Sequence, residues 1–148
     1  MGDRDSYREG IAAYRAGRYE DAVRKLTPLA ADSEGAVRLM GRFYLSQAHY
    51  HLAVRLFDRH LFRDAGHHFR LAAQANPSGS GIAGFLAGCY AGNKRLEETA
   101  HRSAEWVRHH PSDTASRIKL ALAQWKLGQP GQAMATLQEG LAACPDSA

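Results

Sequence analysis

Pro77, Pro111 and Pro145 stand 34 residues apart in each step. A chain that punctuates itself at this interval is a stack of like units, and about 34 residues is the length of one helix–turn–helix repeat. Other positions keep the same step. Leu52, Leu86 and Leu120 lie 25 residues before the three prolines, Ala53, Ala87 and Ala121 lie 24 before, and Ala65, Thr99 and Ala133 lie 12 before. Large apolar and small residues therefore return at fixed places, as helices in close contact require. At 148 residues the chain has room for four such units.

The first unit reads YREGIAAYRAGRYEDAVRKLTPLA over residues 7–30. Through Gly10, Tyr14, Gly17, Tyr19, Ala22 and Leu26 it resembles the tetratricopeptide repeat, and the resemblance covers nearly all of the chain. It implies one all-α domain, a right-handed superhelical solenoid of about four helix–turn–helix pairs at roughly 3–36, 46–79, 80–113 and 114–147. It also implies that small residues mark the closest approach of paired helices and that a proline ends each second helix.

Two features break the regular pattern. Ala22 and Ala65 are 43 residues apart, which leaves nine extra residues, 37–45, between the first two units. The segment AVRLMGRFYL is apolar rather than loop-like, and we read it as an extension of the next helix from about Ser33 to about Asp58. A separate short helix is the alternative. Pro28 falls inside the second helix of the first unit, where it is expected to kink or end it.

The third unit reads as a helix SGIAGFLAGCYAGN followed by a second helix in KRLEETAHRSAEWVRHHP. Gly84, Gly88 and Gly92 form one stripe down the first of these, at a cost of about 2–3 kcal/mol relative to alanine. Such a stripe removes side chains so that another backbone can approach, either a ligand's or another part of this protein. In the fourth unit Pro130 suits a first helical turn, and Gly140 is a weak point.

By the resemblance, the first helix of each unit lines a concave groove. The contact residues expected there are Tyr7, Arg8 and Ile11; Tyr50, Val54 and Phe57; Gly84, Phe85 and Gly88; and Lys119 and Lys126. This groove is basic at both ends and aromatic between, suited to an acidic or amphipathic peptide or helix. It lacks the lysine and asparagine pattern of the repeats that clamp a C-terminal carboxylate pair, because Tyr7 and Ile11 occupy those places. The expected role is a non-enzymatic protein-interaction module, as scaffold, adaptor or chaperone-like binder. The alternative is a self-assembling oligomer joined through Val37, Met40, Phe43 and Tyr44, or through the last unit, where Trp125, Leu137 and Leu141 lack a capping helix. That missing cap also raises the reading of a fragment from a longer protein.

Other classes find little support. A net charge of +4 is too small to argue nucleic acid, and no regular polar code recurs once per repeat. No stretch has the length of a membrane span, and nothing at the N-terminus reads as a signal peptide. Cys89 and Cys144 make no disulfide framework, so a cytoplasmic setting is expected. His60, Asp64, His67 and His68 invite a metal reading, but adjacent histidines cannot share a direction, and no metal or cofactor is expected. No catalytic motif is present, so no enzyme is expected.

Overall fold

The computed structural model describes residues 2–77 and 81–143, and over these it contains seven helices and no strand. They are α1 (Asp3–Arg15), α2 (Tyr19–Asp32), α3 (Gly35–Asp58), α4 (Phe62–Ala75), α5 (Ile82–His109), α6 (Thr114–Lys126) and α7 (Pro130–Ala143). Pro145, the third proline of the phase, and residues 78–80, at the junction between the second and third units, lie outside the described residues. The chain divides into two compact units. One comprises residues up to Arg59 with Asp64–Gly88, and the other comprises His60–Arg63 with the chain from Cys89 onward.

In the first unit, Gly17 sits at φ +78° in the turn after α1, and the amides of Gly17 and Arg18 donate to the carbonyls of Tyr14 and Ala13. These bonds satisfy the last carbonyls of α1 and reverse the chain into α2. Gly10 lets Leu26 come within 2.6 Å of where a Cβ would stand, so the two helices approach closely. Leu26 and Ala22 are fully buried there, with Leu29 and Ala48 beside them.

The nine extra residues extend α3, which runs unbroken for 24 residues. Gly41 does not break it. A Cβ at Gly41 would stand 3.6 Å from Leu29 and Ala30 of α2, and Arg42 Nε donates to the Ala30 carbonyl. Pro28 does not end α2 either, because the helix continues to Asp32. Leu29 and Ala30, just past the proline, are buried in the core, and that packing holds the last turn in place.

The expected third helix pair is a single helix. α5 spans 28 residues and passes through Gly92 and Asn93, where the sequence suggested a turn. Gly92 is buried, and a Cβ there would collide with the Phe62 ring, so the aromatic side chain packs directly on the helix backbone. Asn93 retains a sign of the conflict, since its Oδ1 is buried without a hydrogen-bond partner. Leaving such a group unpaired costs about 1–3 kcal/mol, which the packing along the helix must exceed.

Candidate functional site

α6 and α7 carry an open apolar surface. Asp113 starts α6 by accepting from the Ser116 amide at 3.2 Å and the Ser116 hydroxyl at 2.9 Å. Its carboxylate also accepts from Trp106 Nε1 at 2.7 Å, and these bonds hold its pKa below the ordinary value, the Trp106 bond most strongly. Gly128 at φ +79° turns the chain into α7, with Gln129 N donating to the Gln124 carbonyl.

The inner side of this pair is knitted by polar contacts. Arg117 is buried, and its guanidinium donates to the carbonyls of Pro111 and Thr136 at 2.9 and 3.4 Å, with Glu139 3.8 Å away. A Cβ at position 140 would overlap the Arg117 side chain, so the glycine inside α7 makes the room that arginine occupies. Thr136 donates to Gln124 at 2.7 Å across the pair.

The outer side is different. Ile118, Leu122 and Trp125 follow one another down α6, and Met134, Leu137 and Leu141 down α7, all of them exposed; Ile118, Leu122 and Trp125 are 51–58% so. Between the rows lies a groove of about 260 Å³, with Ala121 and Ala133 in its lining. Lys119 is exposed and Lys126 half-buried on α6. Exposed leucines taken singly are ordinary, whereas six large apolar side chains on two adjoining helices form a patch of the kind that marks interaction sites.

The first unit distributes its expected contact residues otherwise. Ile11 is buried at 7%, so it is not a groove contact. The reason is the turn of α1, which points Gly10, Ile11 and Ala13 inward together. Arg8 and Gly84 are exposed, and nothing lies within 4 Å of where a Gly84 side chain would begin. Tyr7 packs against the first core. Tyr50, Phe57 and Phe85 lie together with Phe69 as one aromatic cluster: Phe85 stacks on Phe69 at 4.8 Å, and Tyr50 and Phe57 meet Phe85 edge-on at 5.9 and 5.4 Å. Val54 is half-buried in the same helix. Gly88 is occupied by this chain's own Phe57, whose ring comes within 3.2 Å of a Cβ there. In the α3 extension, Val37 and Tyr44 pack against the core, whereas Leu39, Met40 and Phe43 are exposed.

A second concavity, of about 680 Å³, lies among α2, α3 and α4 and is of mixed charge, with Glu20, Asp58 and Asp64 facing Arg55, Arg59, His67 and His68. Behind it His49, buried at 5%, meets His68 with Nδ1 atoms 3.0 Å apart. Burial first, then the neighbouring His68 and His67, lowers the His49 pKa to about 4. His68 is lowered as well, chiefly by burial and then by His67, with Asp64 and Glu20 pulling the other way. His60 stacks on Phe62 instead. Among the described residues no three His, Cys, Asp or Glu side chains are placed to hold a metal ion, and no helix is long and apolar enough to cross a membrane.

Residues 7–53, which span most of α1, all of α2 and most of α3, match the family model of the tetratricopeptide repeat. Over that segment the chain is similar to the tetratricopeptide repeat. Comparison with curated proteins finds no match. Two features of the structure were not expected from the sequence. Met134 joins Leu137 and Leu141 at i, i+3, i+7, a signal that was present in the sequence. His49 and His68 are 19 residues apart and carry no local signal of their pairing.

Proposed function

We propose that this protein is a non-enzymatic interaction module that holds a peptide or partner helix on its exposed helical faces, as a scaffold, adaptor or chaperone-like binder. Tetratricopeptide repeats generally mediate protein–protein interaction. The observation that carries the reading here is the open apolar face of α6 and α7, with Lys119 and Lys126 on the same helix. Arg8 and Gly84 remain available as contacts in the first unit, and Tyr7, Tyr50, Val54, Phe57, Phe85 and Gly88 serve by shaping the surface beneath them. A photo-reactive amino acid at position 122 is expected to cross-link a discrete polypeptide in cells. The same group at Arg24, exposed on α2, is expected to give none. Equal, diffuse labelling from both positions contradicts the proposal.

A second reading, self-assembly, is favoured by the exposed Leu39, Met40 and Phe43 on one stretch of α3. Light scattering across a dilution series tests it. The pair Met40→Ser and Phe43→Ser is a cleaner probe than deleting 37–45, because Val37, Gly41 and Tyr44 in that segment support the core. A monomer at all concentrations excludes this reading.

A further inference from the structure

We infer that the α6–α7 groove receives an acidic amphipathic helix from another protein; the inference rests on the interaction reading above and names the partner's chemistry. The groove has the shape to take a helix. Ile118, Leu122 and Trp125 sit at i, i+4, i+7 of α6, and the α7 row at i, i+3, i+7. Each row is about 10 Å long at 1.5 Å per residue, which is two turns of a helix laid alongside. The floor is alanine on both sides, at Ala121 and Ala133, so a third helix can settle to the usual interaxial distance of about 8–10 Å. Recognition then reads as apolar anchors at i, i+3 or i+4, and i+7 of the incoming helix.

Its charge favours an acidic occupant. At about 100° per residue, Lys119 and Lys126 share one flank of α6, roughly a quarter-turn from the apolar row and on the side away from α7. Neither lysine pairs with a carboxylate among the described residues. The opposite flank is neutral, formed by Gln138 and Ala142, and Glu139, which is the acid in α7, is turned toward Arg117. A helix seated here meets unpaired positive charge along one edge and little else.

Among the described residues, this chain offers no matching occupant of its own. Its other exposed apolar strip, Leu39, Met40 and Phe43, is flanked by Arg38 and Arg42, and would bring like charge to the lysines. Groove against groove does the same. Helix α1 balances Asp3, Asp5 and Glu9 with Arg4, Arg8 and Arg15, buries Ile11 in the core and has no exposed apolar row to offer. Like charges facing each other across an interface suppress the wrong partner, so the acidic foreign helix is left.

The test uses the full chain and two labelled synthetic 18-residue helical peptides. Both carry leucines at i, i+3, i+4, i+7, one with glutamate and one with lysine at the remaining charged positions, and binding is read by fluorescence anisotropy. The acidic peptide is expected to saturate at least tenfold more tightly than the basic one, with an advantage that shrinks as salt rises. Lys119→Glu with Lys126→Glu is expected to reverse the preference, and Leu122→Ser to weaken the acidic peptide at least tenfold while the thermal melt stays in place. Equal binding of the two peptides overturns the inference, as does binding of the acidic peptide that ignores both sets of substitutions. If that binding instead responds to Arg8→Glu, the interaction reading survives and this site is wrong. If neither peptide binds while cross-links from position 122 persist, the face is an interface and the acidic assignment is wrong.

Discussion

The first and last helix pairs are built from the same kind of hairpin and differ in what covers their apolar residues. In α1–α2, Leu26 and Leu29 are 0 and 4% exposed, enclosed by α3 and its extension. In α6–α7, the leucines of the outer face stand in solvent. Fully burying a leucine is worth about 1.5–3 kcal/mol, so the first pair has already realised an energy that the last pair still holds in reserve. The difference separates side chains that maintain the fold from side chains that can bind without being needed for it.

The largest effect should come from the filled region. Phe69 is fully buried against Phe85, and Phe69→Ala is expected to cost about 3–5 kcal/mol in urea denaturation. A cost below about 1 kcal/mol would mean the first unit is no better packed than the last. Acid comes next. The unfolded chain protonates His49 near pH 6.5, whereas the folded chain resists until about 4, so its contribution is complete above the first value and is lost as pH falls toward the second. The loss amounts to about 3 kcal/mol across that window, and lowering of the His68 pKa acts in the same direction. His49→Gln should flatten the slope of stability against pH. α6 and α7 contain no histidine, so their amide exchange, corrected for intrinsic rate, should change less over the same range.

Smaller effects are expected in the last pair. Gly140→Ala improves helix propensity by about 1 kcal/mol, yet its Cβ meets Arg117, and a net loss of about 1–2 kcal/mol is expected. Arg117→Met in the same chain should recover part of that loss in a double-mutant cycle. Smallest of all is Leu122→Ser, expected to move stability by no more than about 0.5 kcal/mol in a thermal melt. A large destabilisation there would show that the open face is structural and would erase the contrast with α1–α2.

Much of the fold was legible because repeats write themselves at fixed intervals. The helix type, the α1–α2 hairpin and the long α3 follow from spacing and from the apolar insert. The continuity of α5 did not, because Gly92 and Asn93 have the local chemistry of a turn. What overrides it is a contact across the fold, the Phe62 ring on the bare backbone of Gly92. Pro28 misled for a related reason, since burial of Leu29 and Ala30 outweighs the lost hydrogen bond. The site was legible in part. Trp125, Leu137 and Leu141 are recognisable as uncovered from the sequence, while Ile11 is expected on a surface because a family register fixes which residues share a stripe, not how far the helix is rotated. Tyr50, Phe57 and Phe85 find one another only in three dimensions.

α5 also has a consequence for how the molecule comes into being. Helices shorter than about 12–15 residues are marginal on their own in water, a range that includes α6 and α7 at 13 and 14 residues. At 28 residues α5 is well beyond it, and its half after Gly92 adds an ion pair from Glu105 to Arg108. The half after Gly92 can wind up by local steps of about a nanosecond per residue, whereas the passage through Gly92 depends on the Phe62 ring packed against it. The unbroken rod is then a product of docking as much as of winding.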